Sequence, residues 1–292
     1  MKRNRTRLIQ LMIILLIAAV IFILKNQLPQ FLIQKPNQLF SSLKKEQIRE
    51  MLLTNDKIIQ LYKKDKLWYF KKDNNEFRAD EERINKIVNG IVNLIKGDVV
   101  SNNKNKHKEL GIDRQKIEVK TKGKSYVFYI GNSSGIAKNY IRIGDENEVF
   151  TAEGFDEAFT SDDYRDLLVR LINDETKVTL IDIGYNDILT TLLKQKSDWK
   201  IGNKTAKKDR VDFFINDLKT LKATDILPKE TNLPAVVPDS IKIKEGSQEK
   251  SVEFYQQDEN NYFAKASTSE FIFQIPAAYV ASLKKEEKDF IE

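Results

Sequence analysis

Cysteine is absent from this 292-residue chain, and histidine occurs only once, at His107. The absence of cysteine excludes disulfide bonds, cysteine–zinc sites and a cysteine nucleophile. Any folded module of the chain must therefore be stabilised by its own hydrophobic core. A chain without free thiols also suits a location outside the cytoplasm, where a stray thiol would risk disulfide exchange.

The only histidine lies in a polar segment, residues 101–108, with nothing apolar to orient its ring. A Ser/His/Asp triad needs a histidine that accepts the serine proton, and a histidine-based metal site needs more than one ligand. The pattern predicts that His107 is a solvated loop residue. We therefore expect neither kind of site to depend on it.

Three polar loops resemble Ca²⁺-binding or phosphate-binding loops, but each lacks a feature that such a loop requires. Residues 145–148 and 258–261 do not alternate oxygen ligands around a central glycine, as a Ca²⁺ loop does, so they are interpreted as hairpin turns. Residues 131–135 are glycine-rich, but a strand pattern follows them instead of the helix that a phosphate-binding loop requires. The sequence predicts no catalytic residue, no cofactor and no metal, and the protein is predicted not to be an enzyme.

The net charge of +6 includes four basic residues at the N-terminus, so residues 8–292 carry only 6 − 4 = +2. A nucleic-acid-binding protein concentrates its basic residues on one face of its folded part. Here lysine alternates with acidic residues along the whole chain. We expect no nucleic-acid partner.

Residues Leu8–Leu24 form a run of 17 residues without a charge. As a helix the run would span roughly 26 Å, enough for a bilayer core if Arg7 and Lys25 extend to the headgroups. We expect a basic cytoplasmic flank over residues 1–7, a transmembrane signal-anchor over 8–25 that contacts the bilayer, and a connector over 26–45. The remainder would be periplasmic or extracellular, held by a single pass through the inner or cytoplasmic membrane. A cleaved signal peptide is the alternative, although no small-x-small cleavage site follows.

Two stretches of the chain are similar to each other. Residues 48–68 align with the segment Val178–Trp199 at a shift of 199 − 68 = 131, which places Trp68 on Trp199. A helical stripe through Ile87 matches one through Phe214, at a shift of 214 − 87 = 127. The pattern predicts two tandem modules, residues 46–173 and 176–292, the second a repeat of the first.

Each module shows strand patterns, then one amphipathic helix, then more strands in hairpins. Helices are predicted over 80–95 and 207–221, with a final helix from Pro276 to Leu283. This order favours an α+β class. The predicted fold is an N-terminal transmembrane helix followed by two repeated modules of mainly antiparallel strands with one main helix each.

Trp68 and Trp199 end the third strand pattern of their modules. An aromatic residue at a strand end can line a carbohydrate or peptide site, but recurrence at one position of both modules favours a shared core anchor. We expect Trp68, Trp199, Ile87 and Phe214 to be structural anchors, with each tryptophan packed on the helix of its own module.

Several motifs are similar to a bacterial family, the domain of unknown function number 4340, whose members accompany auxiliary components of gliding-motility-type ABC transporters. The motifs that carry this resemblance are Leu67-Trp68-Tyr69-Phe70, Ala79-Asp80, Leu110-Gly111-Ile112-Asp113, Tyr129-Ile130-Gly131, Asn139-Tyr140-Ile141-Arg142, Tyr164-Arg165-Asp166 and the restart at Val178–Tyr185. It covers residues 46–290, densely in the first module. The second module departs from it, because Asn232-Leu233-Pro234 replaces the Leu-Gly-Ile-Asp element.

The resemblance implies a non-enzymatic accessory or scaffold protein that contacts an ABC-transporter-like or other cell-envelope complex. Its expected partners are subunits of that membrane complex. The alternative hypothesis is an extracytoplasmic sensor module that binds a ligand or glycan.

Overall fold

The computed structural model describes residues 16, 37–72, 75–154, 159 and 161–291. By contacts the chain divides into two units, Met1–Tyr164 and Arg165–Glu292. The repeat pattern in the sequence predicts a boundary between residues 173 and 176. Each unit contains one nine-stranded antiparallel sheet among its described residues.

The described residues from 37 onward in the first unit form nine strands and one α-helix. Along the chain these are β1 Ile48–Thr54, β2 Ile58–Lys64, β3 Leu67–Lys72, β4 Asn75–Arg78, α1 Glu81–Val92, β5 Ile95–Ser101, β6 Gln115–Thr121, β7 Ser125–Gly135, β8 Lys138–Ile143 and β9 Val149–Glu153. The strand order in the sheet is β4-β3-β2-β1-β6-β7-β8-β9-β5.

The second unit repeats this succession and adds two short C-terminal helices. Its elements are β10 Val178–Tyr185, β11 Ile188–Gln195, β12 Asp198–Ile201, β13 Lys204–Thr205, α2 Lys208–Lys219, β14 Asp225–Leu227, β15 Asp239–Glu245, β16 Gln248–Gln256, β17 Asn261–Ala266, β18 Ile272–Pro276, α3 Ala277–Leu283 and α4 Glu287–Ile291. The strand order is β13-β12-β11-β10-β15-β16-β17-β18-β14, which is the order of the first sheet.

Alternating side chains give each sheet one buried face. In β1, for example, Met51 and Leu53 are buried, and their cross-strand partners Leu61 and Ile59 in β2 are buried too. Period-2 alternation of this kind is what an antiparallel sheet requires when one face covers a core and the other meets solvent.

The main helix of each unit buries one stripe of side chains. In α1 the buried residues are Ile84, Ile87, Val88 and Ile91, and in α2 they are Val211, Phe214, Ile215 and Leu218. The spacing of three and four residues places each set on one side of its helix. The buried stripe and the buried sheet face together form the core of each unit.

The predicted fold class, α+β with an N-terminal transmembrane helix, was wrong. Antiparallel sheet dominates the described residues, and each sheet is accompanied by only one twelve-residue helix. No helix within the described ranges is long and apolar enough to cross a bilayer. The main helices are apolar on one stripe only, as helices that cover a sheet are. The predicted anchor, residues 8–25, lies outside the described residues except for Leu16.

The structure adds edge strands that the sequence pattern did not reveal. Strands β4, β5, β13 and β14 lie at the edges of the two sheets. Three of them are only two to four residues long, and β5 has no alternating burial and pairs with β9 through two register shifts. A period-2 pattern cannot be recognised in such strands.

The register also corrects the alignment of the two repeated segments. Met51 pairs with Leu61 in the first sheet, and Ile181 pairs with Leu192 in the second. The shift is therefore 181 − 51 = 130 for the first strand and 192 − 61 = 131 for the second strand. The β10–β11 hairpin is one residue longer than the β1–β2 hairpin, so the ungapped alignment misplaced the first strand by one residue.

Candidate functional site

The structure corrects the prediction for His107. Its side chain is 6% exposed, and its Nε2 lies 3.0 Å from the carbonyl oxygen of Asn147. A carbonyl can only accept, so Nε2 is the donor of this hydrogen bond. The solvated-loop prediction was wrong, because the turn that follows β8 lies against the segment that carries His107.

The polar loops singled out in the sequence lie at hairpin ends. Residues 131–135 belong to β7, and Gly135 pairs with Lys138 across the turn into β8. Asp258 accepts hydrogen bonds from the backbone N–H groups of Asn260 and Asn261, both at 2.8 Å, which orders the β16–β17 turn. Within the described residues, no group of three or more His, Cys, Asp and Glu side chains is placed to hold a metal ion.

The two tryptophans occupy the same position in their sheets and are almost completely buried. Trp68 is 3% exposed and Trp199 is 4% exposed. A lysine on the neighbouring strand lies over each indole ring: Lys63 Nζ is 5.0 Å from the ring centroid of Trp68, and Lys194 Nζ is 5.8 Å from that of Trp199. Contacts at this distance are cation–π interactions.

Each tryptophan is also tied to the segment that enters the helix. The Trp68 carbonyl accepts a hydrogen bond from the N–H of Ala79, and the Trp199 carbonyl accepts one from Ala206, both at 2.9 Å. Ile87 and Phe214, the predicted helix anchors, are buried in α1 and α2. The tryptophans are thus core residues that do not present an open aromatic platform for a sugar ring.

A cleft of about 550 Å³ opens beside Trp199 in the second unit. We call it the Trp199 cleft. It is bordered by the β11–β12 hairpin, the side of α2 and the turn that precedes β10; its lining residues are Glu175, Thr176, Lys194, Lys196, Ser197, Trp199, Lys208, Asp212, Ile215 and Asn216. Its volume falls within the range of small-molecule sites.

A second surface lies on the solvent-facing side of the second sheet. We call it the leucine–lysine face, formed by Leu180, Leu189, Leu193, Lys242 and Lys244. Leu193 is paired with Leu180, and Leu180 with Lys244, in one row across three strands. Leu189 is 70% exposed and Leu193 is 41% exposed. A shallow cleft of about 290 Å³ lies beside Leu180, Lys242 and Lys244.

The corresponding face of the first sheet is different in chemistry. Glu50 occupies the position of Leu180, and it accepts hydrogen bonds from Gln60 at 2.9 Å and from Lys120 at 3.4 Å. Glu118, at the position of Lys242, accepts a hydrogen bond from Ser125 at 3.1 Å. The polar groups of this face therefore satisfy one another, whereas neither Lys242 nor Lys244 makes an ion pair with a described residue.

Sequence reasoning missed both surfaces. In the sequence the leucines belong to an ordinary strand pattern, and the lysines are interspersed with acidic residues. The signal that could have revealed them is the comparison of the two repeats position by position, because Leu180 replaces Glu50 and Lys242 replaces Glu118.

Comparison with known proteins gives a family but no characterised relative. The family model described as Domain of unknown function (DUF4340) matches residues 68–240, more than half of the chain. The matched range includes parts of both units. No curated protein and no solved structure matches the chain.

Proposed function

The chain belongs to the DUF4340 family of domains of unknown function. From the surfaces of its second unit we propose that it is a non-enzymatic accessory or scaffold protein of a cell-envelope complex. It would act outside the cytoplasm through protein–protein contacts with subunits of an ABC-transporter-like machine. The observation that carries this proposal is the leucine–lysine face.

Exposed leucines on this face are the main source of expected affinity. Complete burial of an exposed leucine contributes about 1.5–3 kcal/mol, and Leu189 is 70% exposed. Leu193 and Leu180 extend the apolar surface to the neighbouring strand. Thr191 and Asp182, joined by a hydrogen bond of 2.7 Å, lie between Leu189 and the Leu193–Leu180 pair. Exposed apolar side chains that alternate with polar ones in this way suit a surface that another protein covers.

The two lysines define the chemistry of the partner. Lys242 and Lys244 make no ion pair with a described residue, although Asp182 and Glu249 are their cross-strand neighbours. Their ammonium groups can therefore pair with acidic side chains of a partner. Exposed ion pairs contribute only about 0–1 kcal/mol each, but complementary charges orient the partner and speed association. The face therefore fits a partner surface that combines apolar side chains with acidic ones.

We also propose that the two units are divergent copies of one domain, of which the second has acquired the partner surface. The identical strand order, the equivalent tryptophan–lysine pairs and the helices at a constant shift support this. The first unit, in which Glu50 accepts hydrogen bonds from Gln60 and Lys120, would be the copy that binds no partner at this face.

The test is quantitative affinity purification from the native host after crosslinking. The wild-type chain should recover transporter or envelope subunits, and the double variant Leu189→Glu/Leu193→Glu should lose them by tenfold or more. Both side chains are exposed, so the variant is expected to keep the thermal midpoint of the wild type.

Ile58→Glu is the matched control. Ile58 stands at the position of Leu189 in the first sheet and is 71% exposed, so this variant makes the Leu189→Glu half of the change on the other sheet. It should recover the same subunits as the wild type. Recovery of no transporter or envelope subunit by the wild type, or equal recovery by the double variant, would contradict the proposal.

A further inference from the structure

The Trp199 cleft has basic groups that the fold leaves without counter-charges. Two acids line it, and both already hold a lysine: Glu175 pairs with Lys219 at 2.6 Å, and Asp212 pairs with Lys208. The remaining lysines, Lys194 and Lys196, make no ion pair with a described residue.

Lys194 has a defined position in the cleft. Its Nζ lies 5.8 Å from the ring centroid of Trp199, on the neighbouring strand of the β11–β12 hairpin. A lysine that packs along an indole ring keeps its aliphatic stem in apolar contact and its ammonium group at the surface. The ammonium group therefore faces the cleft with all three donors able to bind an anion.

The first unit has the same pair of a lysine over a tryptophan, but acidic residues take the place of several residues that line the Trp199 cleft. Lys63 lies over Trp68 as Lys194 lies over Trp199. The positions that hold Thr176, Lys196 and Lys208 in the second unit hold Glu46, Asp65 and Glu81 in the first. Glu81 also accepts a hydrogen bond from the backbone N–H of Trp68 at 3.3 Å.

Two of these acids, Glu46 and Glu81, act on Lys63 electrostatically. Burial lowers the pKa of Lys63 and the nearby Arg49 lowers it further, while Glu81 and Glu46 oppose the shift. An anion added at Lys63 would therefore have to compete with these two carboxylates of the same chain. At Lys194 the corresponding carboxylates are absent, so an external anion can take their place.

We propose that the Trp199 cleft binds a small anionic ligand that carries a carboxylate or phosphate group. Lys194 and Lys196 bind the anionic group. The hydroxyl oxygens of Thr176 and Ser197, which donate to Asp174 and Asp198, can accept hydrogen bonds from ligand hydroxyl groups, and the Asn216 amide can donate or accept. Ile215 and the edge of Trp199 form the apolar wall. The site lies within the second unit, and it gives the alternative hypothesis of a ligand-binding module a specific place and ligand class.

This proposal does not depend on the leucine–lysine face, since the two surfaces share none of their named residues. Failure of partner recovery would therefore leave the ligand site standing, and failure of ligand binding would leave the partner surface standing.

The experiment uses the full chain with Trp68→Phe, so that Trp199 is the only tryptophan and reports on its own cleft by fluorescence. Inorganic phosphate and glucuronate are titrated separately at constant ionic strength set with chloride. A saturable change in Trp199 emission with at least one of them is expected. Glucose, which has the same ring as glucuronate without the carboxylate, should give no change.

Calorimetry on the chain with both tryptophans provides the second measurement, in case Trp68→Phe weakens the first unit. Lys194→Gln/Lys196→Gln should weaken binding tenfold or more. Lys63→Gln, which matches the Lys194 change in the first unit, should leave binding unchanged. Binding of phosphate alone or of glucuronate alone identifies the anionic group.

Three results would overturn the proposal. One is the absence of a saturable response to both anions, in fluorescence and in calorimetry. Another is equal binding by the Lys194→Gln/Lys196→Gln variant. The last is an equal loss of binding in Lys63→Gln, which would show a general charge effect instead of a site.

Discussion

The backbone N–H of Lys207 donates a hydrogen bond of 2.8 Å to the carbonyl oxygen of Phe290. In the first unit the N–H of Asp80 makes the equivalent bond to the carbonyl oxygen of Tyr164, also at 2.8 Å. Each acceptor belongs to a buried aromatic residue near the end of its unit, and each donor precedes the main helix. The chain thus closes each unit by bringing its last aromatic residue back to the start of the helix.

Phe290 should accordingly be essential for the stability of the second unit. Its ring packs edge-on against Phe214 at a centroid distance of 5.6 Å. Phe290→Ala should lower the free energy of unfolding of this unit by about 3–5 kcal/mol, the usual cost of removing a buried aromatic side chain. Urea unfolding followed by limited proteolysis would measure the loss. Lys288→Ala, which removes an exposed ion pair on the same helix, should leave the transition unchanged.

Each tryptophan should stabilise its own unit. Trp68→Ala or Trp199→Ala should cost about 3–5 kcal/mol, because each removes a buried aromatic side chain. We expect cleavage sites within residues 37–164 for the first variant and within 165–291 for the second, mapped by mass spectrometry of proteolytic fragments. Phe213→Ala, at an exposed position of α2, is the control and should behave as the wild type. If either tryptophan variant melts like the wild type, that tryptophan is not a core anchor.

A buried ion pair should make the second unit sensitive to acid. Lys250 donates a hydrogen bond to Glu245, and both side chains are buried. Glu245 also accepts the backbone N–H groups of Asn173 and Asp174, the first at 3.2 Å. Burial by itself would raise the pKa of Glu245, but these hydrogen bonds outweigh it and the pKa is lowered.

A lowered pKa in the folded state means that Glu245 stabilises the unit above the pKa of the unfolded chain, about 4.3 for glutamate, and that this contribution is lost as the pH falls further. At neutral pH Glu245→Gln should cost about 3 kcal/mol, because Lys250 would remain buried without its counter-charge. The difference between variant and wild type should shrink below about pH 4.3. Thermal melts from pH 3 to 7 would show it, with the exposed Glu249→Gln as control; a pH-independent difference would contradict the assignment.

Gly131 should tolerate no side chain. A Cβ at this position would lie 2.4 Å from the carbonyl oxygen of Leu110 and 3.0 Å from Cδ1 of Ile112. Gly131→Ala should therefore destabilise the first unit by about 1–3 kcal/mol, as overpacking against backbone does. Gly123→Ala is the matched control, since a Cβ there would meet nothing within 4 Å. If Gly131→Ala has the same thermal midpoint as Gly123→Ala, the prediction is wrong, because the segment around Leu110 then moves aside without cost.

Strong local patterns allowed much of the architecture to be anticipated. The alternation in segments such as Ile48–Thr54 predicted strands, and the apolar stripe through Ile87 predicted a helix, which begins at Glu81 but ends at Val92 instead of residue 95. The α4 helix, Glu287–Ile291, was missed because a five-residue helix contains too few turns for a periodic pattern.

The candidate sites were harder to anticipate, because they depend on which residues meet across strands. Strand alternation places Leu189 and Leu192, three residues apart in β11, on opposite faces of the sheet, but nothing local tells which of the two faces is buried. Which face of the sheet is buried depends on the position of α2 and on the register of β10 and β11. The burial of His107 likewise depends on a contact with Asn147, 40 residues away.

The sequence by itself determined that no disulfide, cysteine–zinc site or cysteine nucleophile exists, that the main helices bury one stripe, and that the chain belongs to a family recognisable from its motifs. These properties follow from residue identity and short-range periodicity. Tertiary structure alone decided the edge strands, the one-residue difference between the repeated hairpins, the burial of His107 and the position of unpaired lysines beside Trp199. The physical reason is that burial and charge compensation are set by partners far apart in sequence, which only the folded sheets bring together.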